Sequence, residues 1–215
     1  MARSSSARFL LCVLLWLPWI AITSPGSPVA GVDYVEIPNP APLSPPARGK
    51  IEIVEVFGYT CPHCAHFESA ALPWRQKLPS YVKFTAVPAP FGGTWNTYAR
   101  AYYAAKSLGI AEKTHDAVFN AIHNLGSLPR NATDREIADF YSNYGVTAQQ
   151  FTTAMNSPQV AEQIRQTGDF LRRTEVDGTP ALIVNGKYRV TGGNSFEDKL
   201  RIASWLIAQE HAANK

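Results

Sequence analysis

The chain has 215 residues, 46% of them hydrophobic and 17% charged, with a formal charge of +3. That is enough chain for one or two domains with a sizeable core, and without a basic run it lacks the balance of a nucleic-acid or other polyanion binder. Three cysteines are too few for a scaffold stapled by disulfides.

Residues 1–8 carry Arg3 and Arg8 and no acid, and residues 9–23 (FLLCVLLWLPWIAIT) form an apolar run. A short basic region before such a run predicts a secretory signal peptide over residues 1–23, with a boundary reaching to about residue 30. The run is shorter than the ~20 residues of a membrane-spanning helix, and Pro18 lies inside it. An uncleaved anchor is the alternative, because no A-x-A site follows. Export removes Arg3, Arg8 and Cys12, which brings the mature charge near neutrality and leaves Cys61 and Cys64 as the remaining cysteines.

Residues 24–50 hold seven prolines and read as an extended lead-in, with a strand-like alternation at 32–37. Lys50–Phe57 (KIEIVEVF) alternates charge with β-branched residues and predicts a strand. A helix is expected from Pro62 to about Leu78, kinked at Pro73, then a strand over Tyr81–Val87. Trp95–Leu108, Ala111–Leu125 and Asp134–Tyr144 all have helical period. Thr133 with Glu136 and Thr147 with Gln150 are capping boxes, and Gly145 stops the helix before it. A further helix opens at Ser157-Pro158 and ends near Thr174. Ala181–Asn185 and Tyr188–Thr191 predict a hairpin through a two-residue Asn185-Gly186 turn. A last helix begins at Asn194 with Glu197. The order is β, β, α, β, a helical block, β, β, α: an α/β fold with a mixed sheet interrupted by helices.

The chemistry centres on Cys61-Pro62-His63-Cys64. A disulfide there closes a loop too short to restrain the chain, so reactivity is the reason to keep it. The strand–turn–helix context puts Cys61 at a helix N-terminus, with Pro62 at the first helical position. Residues at i and i+3 lie on one helix face, about 5–6 Å apart at Cβ, within reach of a disulfide. Cys61 is expected to project as the attacking thiolate, favoured by the helix terminus and by His63; Cys64, a turn inside, is the resolving thiol. A buried inert pair is one alternative. A metal site using Cys61, His63, Cys64 and His66 is another, but a structural zinc site draws a second ligand pair from elsewhere. His115, His123 and His211 show no paired spacing.

FGYTCPHCAHFE, followed beyond the helical stretch by VDGTPALIVNGKY, resembles the DsbA family of bacterial disulfide oxidases in the thioredoxin superfamily. The resemblance spans residues 32–212. It implies a thioredoxin-like domain from residues 32–90 and 175–212, with an inserted α-helical domain at 91–174. By the same resemblance Cys61 is the nucleophile, Cys64 its partner and Glu55 a buried acid assisting proton movement at the inner cysteine, although alternation alone also allows a solvated Glu55. Thr179-Pro180 matches the cis-proline loop that faces the disulfide. Thr179 departs from the valine of the best-known oxidases and is commoner among isomerase relatives.

The implied function is donation of the Cys61–Cys64 disulfide to reduced exported proteins in the periplasm through a mixed disulfide. A membrane quinone-linked partner then reoxidises a monomeric enzyme, and no cofactor is required. An isomerase or reductase of the same fold is the rival within enzymes. A metal-handling or chaperone module is the rival outside them.

Overall fold

A computed structural model describes residues 26–44 and 49–214; the signal peptide expected over residues 1–23 lies outside the described residues. Five strands form one sheet: β1 (Tyr34–Glu36), β2 (Ile51–Phe57), β3 (Val82–Pro88), β4 (Ala181–Val184) and β5 (Tyr188–Val190), in the order β1-β5-β4-β2-β3. β2 runs parallel to β3 and antiparallel to β4, and the β1–β5 and β4–β5 pairs are antiparallel. Seven helices complete the described chain: α1 (Pro62–Arg75), α2 (Gly93–Ser107), α3 (Ala111–His123), α4 (Asp134–Tyr141), α5 (Ala148–Met155), α6 (Pro158–Arg173) and α7 (Phe196–Ala213). None of them is long and apolar enough to cross a membrane.

Strand β2 decides what the fold can do, and its alternation is misleading. Alternating charge allows one wet face, yet all seven of its residues are buried, including Glu52 at 0% exposure and Glu55 at 1%. The reason is topology, because a strand second from the edge is covered by helices on both faces. Each carboxyl therefore meets polar or charged partners, as burial requires. Glu52 accepts from the Leu43 N–H at 2.8 Å and the Ser44 hydroxyl at 3.0 Å, which ties the proline-rich lead-in to the sheet, and Lys83 stands 3.6 Å away. Glu55, on the opposite face, meets Arg75 of α1 at 3.5 Å.

Helices α2–α6 fall between β3 and β4. Their apolar faces build a core continuous with the start of α1, for Phe57, Tyr59, Cys61 and Cys64 pack with Tyr98, Tyr102, Phe119, Tyr141 and Phe151. Tyr98, Tyr102 and Tyr103 are thus core residues, and Trp95 is partly buried against them. Both threonine capping boxes form as the spacing predicts.

Of the boundaries that differ from expectation, three have a clear local cause. The final helix is capped by Ser195, whose hydroxyl accepts the Asp198 N–H at 3.1 Å; the Asn194 N–H instead donates to the Asp198 carboxylate. Helix α1 ends at Arg75, two residues beyond Pro73 rather than at Leu78, as expected once proline has removed a donor. The hairpin connection is three residues, 185–187, because Val184 pairs with Tyr188. Asn185 and Gly186 do adopt left-handed conformations, φ 54° and 61°, and the Lys187 N–H closes the turn on Val184 O at 2.9 Å.

Candidate active site

The loop after β2 delivers Cys61 to the start of α1, where it serves as the N-cap. An N-cap side chain accepts from a backbone N–H two or three residues on. Here the acceptor is sulfur: the Cys64 N–H points at Cys61 Sγ over 3.3 Å. Pro62 occupies the first helical position, where no donor is lost. The Thr179–Pro180 peptide is cis, and Thr179 O lies 3.7 Å from Cys61 Sγ. The fold therefore brings Cys61, Cys64 and the Thr179-Pro180 loop together across 118 residues of sequence.

Both cysteines are free thiols and both are buried, Cys61 with 6% of its surface exposed and Cys64 with none. Cys61 does not project into solvent as its helix-end position suggests, because the Thr179 loop lies against it. The two sulfurs nevertheless differ sharply. A hydrogen bond from the Cys64 thiol pulls the Cys61 pKa down to about 5 against the opposing effect of burial, with support from Thr179 and from the Cys64 and His63 N–H groups. Burial pushes the Cys64 thiol far above its ordinary value, and its bond to the Cys61 sulfur adds to the rise. One cysteine is thus a ready thiolate and its neighbour a held thiol, the division that thiol–disulfide exchange needs. His63 contributes through its backbone, since its ring is exposed and has no hydrogen bond to either sulfur. His66 is exposed as well. Among the described residues, no three His, Cys, Asp or Glu side chains group to hold a metal ion.

Glu55 belongs to a charged cluster that sequence reading missed. Arg75 Nη2 lies 2.5 Å from Glu68 Oε2, and Arg75 Nη1 reaches both Glu68 Oε1 at 3.3 Å and Glu55 Oε2 at 3.5 Å. Burial first, and then the Glu68 charge, raise the Glu55 pKa well above the carboxylate range, and Arg75 only partly offsets them. Burial also opposes ionisation of Glu68, but His115 and Arg75 overcome it and hold that carboxyl below the usual value. Two residues of α3 reach the loop before Cys61. His115 Nδ1 lies 3.0 Å from the Tyr59 hydroxyl, and His123 Nε2 lies 2.7 Å from Tyr59 O. One signal was legible: Cys64, Glu68 and Arg75 are spaced i, i+4, i+11, one face of a helix.

Residues 52–201 match the family described as DSBA-like thioredoxin domain. The thiol:disulfide interchange protein DsbA of Pseudomonas aeruginosa is 41% identical over 188 residues, which cover 86% of this chain and 87% of that protein. The DsbA of Azotobacter vinelandii is 38% identical over 192 residues, 88% of each chain. The crystal structure of oxidoreductase DsbA from Xylella fastidiosa superposes with a TM-score of 0.84 at 48% identity, over 87% of this chain and 100% of that one. The fold is thioredoxin-like, and the chain belongs to the DsbA-like family as a protein thiol–disulfide oxidoreductase.

Proposed function

We propose that the chain donates its Cys61–Cys64 disulfide to reduced proteins exported with it to the periplasm. The observation that carries this reading is the asymmetry of the two sulfurs, a Cys61 pKa of about 5 beside a Cys64 thiol held protonated. A thiolate that stable favours the dithiol form of the enzyme, and a stable dithiol makes its disulfide a strong oxidant.

The reaction balances as follows. A substrate thiolate attacks Cys61 Sγ, the new substrate–Cys61 disulfide forms, and the Cys61–Cys64 bond breaks. Cys64 Sγ leaves with the electron pair and takes a proton, for which Glu55 is the buried acid. A second substrate thiolate then attacks the substrate sulfur, and Cys61 leaves as the stabilised thiolate. Two substrate thiols have become a disulfide and two electrons have reached the enzyme; one of the two thiol protons rests on Cys64, supplied through Glu55, and the other is left in solvent because Cys61 stays ionised. Pro62 and His63 act through the helix start, and Thr179 with Pro180 lines the face of Cys61 that substrate backbone approaches. Residues 32–90 and 175–212 are the catalytic domain in this reading, with 91–174 as a helical insert. By the family resemblance, a membrane quinone-linked partner removes the electrons.

The test is stoichiometric. The oxidised chain, mixed with a reduced two-cysteine peptide, should yield one peptide disulfide per enzyme dithiol. A peptide left reduced, beside an enzyme that keeps its disulfide, contradicts the reading. Thr179, which stands where the best-known oxidases of the family carry valine, favours one alternative, an isomerase or reductase of the same fold. Such an enzyme would be recovered from cells mainly as the dithiol, whereas a donor would be recovered as the disulfide.

A further inference from the structure

The proposed reaction uses one buried acid, yet the cluster holds two carboxyls, a guanidinium and an imidazole. His115 stands at its inner end with 8% of its surface exposed, among the rings of Phe57, Tyr59, Tyr102 and Phe119. Its two nitrogens face different elements. Nδ1 meets the Tyr59 hydroxyl at 3.0 Å, and Nε2, which has no hydrogen-bond partner, faces Glu68 Oε1 at 3.5 Å. Burial holds Tyr59 well above its ordinary pKa, so its hydroxyl keeps a proton that it can donate to Nδ1. With Nδ1 engaged by that hydroxyl, Nε2 is the nitrogen left to face Glu68, and the tautomer in which Nδ1 accepts carries its N–H there.

We infer that His115 is a positioning residue for the exchange reaction: it keeps Glu68 as the anion of the cluster and so leaves the cluster's proton on Glu55. The inference rests on the role proposed above for Glu55. Two buried carboxyls at one guanidinium cannot both be charged without large cost. Which one keeps the proton depends on the other contacts each has. Glu68 receives two contacts from Arg75 and one from His115, whereas Glu55 receives a single 3.5 Å contact from Arg75 and has its second oxygen unpartnered. The other charged or titratable groups around His115 are Arg75 on α1, Tyr102 on α2 and, on its own helix, Glu112 and Asp116, which line the same cleft of about 580 Å³. Arg75 and His115 both border that cleft, so the cluster has a route to solvent on the side away from the Cys61–Thr179 contact. A helix of the segment between β3 and β4 thereby takes part in the chemistry of the strand–helix unit.

The experiment uses the full exported chain with three substitutions and two readouts. His115→Phe keeps a ring and removes both nitrogen contacts, His115→Asn can reach Tyr59 but not Glu68, and His115→Gln restores an N–H near the Nε2 position. Carboxyl carbon NMR follows the Glu68 midpoint, and stopped-flow mixing of the oxidised protein with a reduced cysteine peptide follows exchange at neutral pH. The expected result is a Glu68 midpoint raised by about one unit in His115→Phe and an exchange rate lowered about tenfold, the equivalent of that unit. His115→Asn should match it, and His115→Gln should return both quantities toward wild type. If the phenyl ring unfolds the chain, the Asn and Gln pair makes the same separation. A Glu68 midpoint unmoved in both His115→Phe and His115→Asn overturns the assignment. A moved midpoint with unchanged exchange overturns the link to the reaction. A wild-type protein that oxidises no peptide, with the midpoint moving as stated, leaves the proton where it is placed here and sinks the disulfide-donor reading instead.

Discussion

The ring of Trp95 packs against Gly58, so closely that a Cβ at position 58 would overlap the indole carbon Cζ3. The Gly58 carbonyl in turn accepts the Cys61 N–H at 3.0 Å, so α2 rests on the loop that aims the nucleophile. Gly58→Ala should force the ring or the loop aside at a cost of about 1–3 kcal/mol, the usual range for overpacking. Thermal unfolding should show the loss, and Gly58→Ala combined with Trp95→Ala should recover part of it. Wild-type stability in the single variant would mean the ring moves away freely.

Glu55 should trade stability for function. Its folded pKa is raised, so the stability it lends is complete below about 4.3, the ordinary Glu value, and is lost as pH rises toward its folded value. Glu55→Gln mimics the protonated acid and removes that loss. The variant should be more stable than wild type at neutral pH, by a margin that disappears near pH 4, and slower in exchange. Denaturant unfolding at the two pH values checks the first statement and peptide oxidation the second. A variant less stable at neutral pH contradicts the burial argument.

Arg75→Ala leaves Glu55 and Glu68 facing each other without the cation between them. Breaking a buried pair this way costs about 3–5 kcal/mol. Glu68 has a lowered folded pKa, so the stability it contributes is present above the ordinary carboxylate value and fades as pH falls through its folded value. The destabilisation by Arg75→Ala should therefore be largest at neutral pH and shrink in acid. A penalty independent of pH would make Arg75 a packing residue, consistent only with its place over the Phe84 ring.

Much of this was legible in the sequence. The element order, both threonine capping boxes and the Cys61–Cys64 motif follow from local chemistry, because caps, turns and helix starts are decided by residues three or four apart. Beyond the spacing of Cys64, Glu68 and Arg75 on one face of α1, the charged cluster was not legible. Glu55 reads as half-exposed in KIEIVEVF, and only the pairing of β2 with both β3 and β4 buries it. His115 lies 56 residues from Tyr59, and no periodicity announces a contact of that span. His63 shows the converse: its place in the motif suggests a side-chain donor, while here its backbone N–H supports the Cys61 sulfur and its ring is exposed.

The two cysteines should also differ in what they trap. Cys64→Ala leaves Cys61 without its resolving thiol, so adducts with small disulfides or oxidised substrates should accumulate on Cys61. Cys61→Ala should accumulate few, since Cys64 is fully covered and its thiol is held protonated. Non-reducing electrophoresis with peptide mapping reads both. Equal trapping would mean that both sulfurs are open to substrate.

The most direct test is titration of the reduced wild-type chain, followed by thiolate absorbance in the ultraviolet. Cys61 ionises at about 5 and Cys64 stays a thiol far above that, so one thiolate should appear in acid and no second one before alkaline unfolding. The lowered Cys61 value also stabilises the reduced fold, fully above the ordinary thiol pKa of ~8.5 and progressively less as pH falls toward 5. Stability of the reduced form relative to the oxidised form should therefore rise with pH across that window. A single thiolate with a midpoint near 5 is the result the account predicts. A midpoint near ~8.5, or two thiolates appearing together, would contradict it.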